Sequence, residues 1–422
     1  MRRMMVVKRM VLAMGAGAAL ALALAPMAEA APRRNAHRPP AAAPLVVDRV
    51  VLVMRHGVRP PTKAPAMPAD VTPERWPDWP VQPGWLTPHG ALAVSRLGTW
   101  DGARLRADGL IPARGCPQSA TIRIVADSDQ RTIATAQSWS AALAPGCGLS
   151  IDHKPQDEPD SRFGAIEAGL SPYDSALADA AVRAAAAPDG VGAIAAAHRP
   201  LLARLDAILC GAHRTGCGVA GQPTALVPAK ANGRPKLSGA LDRASTAAQI
   251  LLLEYAEGKP LAQVGWGRAS AADIGRLSAF HALEFRLLAR PRYVASANFA
   301  GLAPILREGL TGEARVTMIS GHDTNVANLG GLLDVHWQVP GLAADDPSPG
   351  GALVLERLRA ADGALFVRVR YRTQSLSQIR SAATLTAASP PSAPILPIAG
   401  CEARGIKGLC PLDQFLKRIE GQ

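Results

Sequence analysis

The pattern that most restricts how this chain can fold occurs three times: an apolar, β-branched run stops abruptly in a polar cluster, and a helical stretch follows. Val50-Val51-Leu52-Val53-Met54 ends in Arg55-His56-Gly57, Thr121-Ile122-Arg123-Ile124-Val125-Ala126 in Asp127-Ser128-Asp129-Gln130-Arg131, and Val316-Thr317-Met318-Ile319-Ser320 in Gly321-His322-Asp323-Thr324. Unbroken apolar runs of this length read as strands buried on both faces. The helical stretches begin with Thr87-Pro88, an N-cap with proline at the first helical position, and with Thr132 to Leu143 and Asn325 to Leu333 after the other two runs. Strand, polar turn and helix in alternation predict an α/β fold with a mainly parallel central sheet flanked by helices. Such sheets bind ligands beyond the carboxyl ends of their strands, where helix N-termini favour anions. All three polar clusters are therefore expected to converge on one pocket.

The stretch between the second and third runs behaves differently. Ala176 to Ala187, Leu201 to Leu209, Leu237 to Glu257 and Ala271 to Leu288 are helical in pattern, with no convincing strand. The expectation is a smaller all-α domain at 157–292 inserted into an α/β domain made of 45–156 and 293–422. Ala352 to Leu358 and Leu365 to Tyr371, flanking Ala361-Asp362-Gly363, predict a β-hairpin that returns to the sheet. At the other end, Arg2, Arg3, Lys8 and Arg9 precede an apolar run from Val11 to Pro26 and then Ala28-Glu29-Ala30, the layout of a cleavable signal peptide at 1–30. A membrane anchor needs about 20 apolar residues, more than this run supplies. Export to the periplasm, with no stable membrane association after cleavage, is the expectation. Residues 31–44, rich in Pro, Ala and Arg, read as a disordered arm.

Residues 1–30 account for +3 of the formal +12, which leaves +9 on the mature chain. The positive charge is scattered, not gathered in runs, and aromatic residues are 4% of the chain, so a nucleic-acid partner is not indicated. A small anionic substrate suits this balance, and a monomer suffices for it. Six cysteines, Cys116, Cys147, Cys210, Cys217, Cys401 and Cys410, point to disulfides in an oxidising compartment. The simplest of the possible connectivities joins sequence neighbours: Cys116 with Cys147, Cys210 with Cys217, Cys401 with Cys410. No histidine or cysteine spacing matches a metal site, so neither metal nor cofactor is expected.

Arg55-His56-Gly57-Val58-Arg59-Pro60-Pro61-Thr62-Lys63 puts three cations, an imidazole and a hydroxyl at one strand end. Guanidinium groups bind phosphate oxygens bidentately, and charge developing in phosphoryl transfer is stabilised by fixed donors and cations. Gly57 is expected to let the backbone approach the phosphate. Asp127 either orients the cluster, touches substrate or caps the next helix. His37, His89, His153, His198, His213, His281 and His336 are scattered and read as surface or structural residues.

This nonapeptide resembles the RHGxRxP signature of histidine acid phosphatases, and Gly321-His322-Asp323-Thr324-Asn325 resembles their HD motif. Trp76 to Val81, Gly84 to Pro88, Gly115 to Ser119, Val264 to Arg268 and Ala327 to Gly331 are similar to stretches of Gram-negative periplasmic phytases, so the resemblance covers nearly the whole chain after residue 45. It implies that His56 attacks phosphorus and becomes a phosphohistidine. Arg55, Arg59, Arg131 and His322 would bind the phosphate, and Asp323 would protonate the leaving oxygen and then help activate water. Thr62, Lys63, Asp127 and Thr324 would border the substrate.

The implied substrate is phytate, myo-inositol hexakisphosphate. Two departures stand out. Ala295-Ser296-Ala297-Asn298 has no arginine where the phytases carry them, for which Arg292 is the nearest substitute, and six cysteines allow one disulfide fewer. The alternatives are a glucose-1-phosphatase or broad-range acid phosphatase, a catalytically inert anion binder, which the presence of both His56 and Asp323 opposes, and a mutase of the wider superfamily.

Overall fold

The three apolar runs are strands, and they lie side by side. The computed structural model describes residues 45–213 and 216–420; the expected signal peptide and arm lie outside the described residues. In chain order, β1 (Val46–Arg55) leads to α1 (Pro88–Ala107), β2 (Ile122–Ala126) and α2 (Gln130–Leu143). Then come α3 (Ser175–Ala185), α4 (Gly190–Ala197), α5 (Arg199–Cys210), β3 (Ala225–Val227), β4 (Lys236–Ser238), α6 (Ala240–Ala256) and α7 (Ala271–Leu288). The chain returns through α8 (Arg292–Phe299) and α9 (Ala303–Thr311) to β5 (Val316–Gly321) and α10 (Asp323–Leu333). Last are β6 (Ala352–Arg359), β7 (Leu365–Arg372), α11 (Leu376–Arg380), β8 (Ile395–Leu396), β9 (Glu402–Ala403), β10 (Ile406–Lys407), β11 (Leu409–Pro411) and α12 (Leu412–Ile419).

The main sheet runs β11-β7-β6-β1-β5-β2, with β8 also on β7. Its functional half, β1-β5-β2, is parallel; the β6-β7 hairpin and its neighbours add antiparallel strands, so the sheet is mixed around a parallel centre. Alternate residues of β1 serve opposite faces, as the two-residue period requires. Val51 and Val53 join the core that includes α6, α7, α9 and α10, while Val50, Leu52 and Met54 pack with Val94, Leu97, Ile133 and Trp139 of α1 and α2.

The middle segment departs from the sequence reading in two details: the short antiparallel hairpin β3-β4 lies within it, and α4 was not anticipated. Strands of three residues are too short for period-two alternation to stand out. The described residues form one compact unit. We propose the insertion limits 157–292 from element order, since the chain leaves the main sheet after β2 and rejoins it at β5. The cysteines pair as sequence neighbours, Cys116–Cys147, Cys210–Cys217 and Cys401–Cys410. Among the described residues no helix is long and apolar enough to cross a membrane.

Candidate active site

Strand register brings the three polar clusters level. Arg55 pairs with Gly321 across β1 and β5, and Ala126 with Ser320 across β2 and β5. Backbone bonds extend one residue further, from His56 N to Gly321 O (2.9 Å) and from Asp127 N to Ser320 O (3.0 Å). The helix after the first cluster is tied to it as well: Thr87 Oγ1 accepts from Gly90 N (2.9 Å), and Thr87 N donates to Val58 O (3.0 Å). The expected N-cap is therefore present, and it also anchors the motif loop.

His56 is 1% exposed. Its Nδ1 lies 2.8 Å from Gly57 O. A carbonyl oxygen can only accept, so Nδ1 carries the hydrogen and Nε2 keeps its lone pair. Burial, then Arg131, Arg59, Arg55 and His322, hold the imidazole well below its usual range, which favours the neutral, nucleophilic ring.

Gly57 serves a different purpose from the one expected. A Cβ there would meet Leu86 Cδ1 and Val94 Cγ2 at 2.9 Å and Gly90 O at 3.1 Å. The missing side chain makes room for the start of α1, not for the phosphate.

Three guanidinium groups surround this imidazole. Arg55, fully buried, donates to Pro347 O and to Gln249 Oε1 (3.1 Å) and pairs with Asp323 Oδ2 (3.0 Å). Arg59 donates to Pro60 O (2.9 Å); burial and the charges of Arg131 and Arg55 lower it to about 9. Arg131 pairs with Asp129 Oδ2 at 2.7 Å. The Nε atoms of all three are buried without a protein acceptor. Crowded cations that repel each other, each with an unsatisfied Nε donor, suit a polyvalent oxyanion.

His322 turns its Nε2 to Asp127 Oδ2 (2.5 Å), while its Nδ1 lies 3.4 Å from Arg131. The two histidine rings are 5.8 Å apart, edge to face. Both oxygens of Asp127 are occupied inside the protein, by His322 and by Ser128 N (2.8 Å). Of the alternatives open for Asp127, this geometry favours orienting the cluster, since the helix N-cap position falls to Asp129. Ligand atoms of Asp127, Asp129 and His322 lie within 4.8 Å of one another, the one cluster among the described residues spaced for a metal ion. Arg131 already balances these carboxylates, and a second cation there would compete with it.

Asp323 begins α10 beside His56. Burial pushes its carboxyl up, but Arg55 and His281 outweigh that and hold it well below the usual carboxylate range. Thr62, Lys63 and Thr324 line the mouth, a cavity of about 650 Å³ that Arg59 and Asp323 share with Asp242, Gln249, His281 and Glu284. Those last four, from α6 and α7, were not identified from sequence. Gln249 receives a bond from Arg55, so its amide oxygen faces the guanidinium, and its Nε2 is buried without a protein partner. His281, read as structural, is 7% exposed and reaches Asp346 and Asp323. Its only sequence signal was a histidine on a helix that itself carried no motif. Arg292 does not serve the mouth: it donates to Leu332 O (3.2 Å) and lines a separate cavity with Tyr293 and Arg307.

The sequence profile of the histidine phosphatase superfamily (branch 2) matches residues 46–185. Phytase AppA of Escherichia coli K12 is 36% identical over 403 residues, 89% of this chain and 91% of that protein. Glucose-1-phosphatase of Providencia rettgeri is 28% identical over 384 residues, 89% and 91% of the two chains. The structure of Hafnia alvei phytase in complex with tartrate superposes with a TM-score of 0.83 at 33% identity, covering 90% of this chain and 97% of that one.

Proposed function

The chain belongs to the histidine phosphatase superfamily, branch 2, and is a phosphoric monoester hydrolase of the histidine acid phosphatase kind; we propose that it hydrolyses phytate through a phosphohistidine on His56. The observation that carries this reading is the buried imidazole of His56, its Nε2 lone pair set by the Gly57 carbonyl, among three arginines.

In the proposed reaction the phosphoryl group rests on Arg55, Arg59, Arg131 and His322. Nε2 of His56 attacks phosphorus as the bond to the ester oxygen breaks. The departing electron pair takes the proton of Asp323, and the products are an alcohol and a P–N bond. Water then attacks phosphorus, Asp323 accepts its proton, and His56 leaves as the neutral ring. A phosphate on Arg55 draws that guanidinium from Asp323 and adds negative charge beside the carboxyl; both effects favour its protonated, donating form.

Phytate as substrate is supported by the closer likeness to a phytase than to a glucose-1-phosphatase and by Arg59 and Lys63 at the mouth. The broad-range alternative draws on the absence of arginine from 295–298. Periplasmic location is part of the proposal and rests on the N-terminal pattern and the paired cysteines. Two measurements test it. Acid-quenched enzyme should carry substrate phosphate on a histidine, and label on serine would overturn the covalent step. At equal concentration phytate should be hydrolysed faster than glucose 1-phosphate; the reverse order would leave the phosphatase and remove the phytase.

A further inference from the structure

We propose that His281, held in place by Asp346, is a positioning residue for Asp323 and sets the pH above which that carboxyl ceases to donate its proton. The inference rests on the assignment of Asp323 as proton donor.

The arrangement is a line of three side chains. His281 Nδ1 lies 2.6 Å from Asp346 Oδ1, and its Nε2 lies 3.6 Å from Asp323 Oδ2. The first is a hydrogen bond. The second is too long for one and acts as a charge contact. Asp346 is 1% exposed, and its Oδ2 is buried without a partner, so its charge has little but His281 to balance it. Its backbone is fixed, because Trp337 Nε1 donates to Asp346 O at 3.1 Å. Phe285 stands edge-on to the imidazole at 4.6 Å between centroids, which closes that side to water.

The charged groups around the ring come from every neighbouring element. Asp346 precedes β6, Asp323 starts α10, and Arg55 ends β1 and pairs with the same oxygen of Asp323. Glu284 lies on the same helix with Asp242 of α6 behind it, and burial raises both carboxyls despite the opposing Ser245 hydroxyl and His281 at Glu284 and the Arg243, Lys236 and Lys63 charges at Asp242. Burial pushes His281 down, but Asp346 and Asp323 outweigh it and raise it to about 9. The ring is thus a cation throughout the acid range. Together with Arg55 it stabilises the carboxylate of Asp323 against the carboxylic acid, and the donating form is confined to low pH.

The test compares kcat/KM against pH, which reports the free enzyme up to the phosphorylation step, for glycerol 2-phosphate and p-nitrophenyl phosphate. His281→Gln keeps an N–H toward Asp323 without the charge. Its alkaline limb for the alkyl ester should move up by about one pH unit, the order expected when a nearby opposite charge is lost. Asp346→Asn, nearly isosteric, should move it in the same direction by less, since it makes His281 a weaker base without removing it. The limb for the aryl ester should stay, because a phenolate leaves without a proton.

Unmoved or downward limbs in both variants overturn the proposal, as do equal shifts for both esters. If His281→Gln does not fold, Asp346→Asn decides alone. Asp323→Asn separates the two layers. Should it fail to distinguish the esters, the donor assignment itself falls; should it distinguish them while the limbs stay put, only the role of His281 does.

Discussion

One wall of the phosphate pocket consists of consecutive residues at three parallel strand ends, Arg55-His56, Asp127 to Arg131 and His322-Asp323. The facing wall consists of single side chains, Gln249 on α6 and, more than thirty positions later, His281 and Glu284 on α7. The first wall is positioned by backbone hydrogen bonds, which allow little freedom once the strands pair. The second depends on how two helices pack over the sheet, and its members act on the first wall: Gln249 through Arg55, His281 through Asp323. On the proposed mechanism, covalent and charge-binding chemistry belongs to the strand ends and adjustment of that chemistry to the helices.

The sharpest way to break this division is His56→Ala. Turnover of every ester should fall on the order of 10⁴-fold or more while the protein still folds and binds phosphate, because the arginines remain. Substantial residual turnover, measured with phytate and p-nitrophenyl phosphate, would remove the strand-end wall from the chemistry.

A loss of intermediate size is expected for Asp323→Asn. Single-turnover phosphorylation should slow by roughly 10²-fold or more with phytate or a sugar phosphate, whose alkoxides leave poorly unprotonated, and much less with p-nitrophenyl phosphate. Arg55→Ala should slow both esters alike, since charge stabilisation serves any leaving group. Equal losses in Asp323→Asn would reduce that residue to a helix-terminal carboxylate.

The smallest effect belongs to the helical wall. Gln249→Leu removes a neutral acceptor from Arg55, and kcat/KM should drop about tenfold, with no dependence on leaving group. A loss as large as that of Arg55→Ala would erase the distinction between the walls. No loss at all would make Gln249 mere lining.

The strands, the helices that follow them and the hairpin β6-β7 could be read from sequence because each carries its own periodicity and punctuation: Thr87-Pro88 at α1 and abrupt polar stops at Arg55, Asp127 and Gly321. The short hairpin β3-β4 could not, since three residues define no period. Gly57 was recognised as necessary and given the wrong neighbour, because a motif shows that a position must be small without showing what approaches it.

Local order along the chain was therefore enough for a parallel core with a basic, histidine-bearing strand end, and for the family resemblance carried by two motifs. Only the tertiary structure decided which residues complete the pocket. Whether Asp127 touches substrate or His322, whether Arg292 faces the mouth, and whether His281 is filler or neighbour to Asp323 all depend on contacts between residues far apart in sequence. Side chains that meet across such distances leave no periodic trace in a single sequence, and their charge states are set by burial and neighbours that exist only after folding.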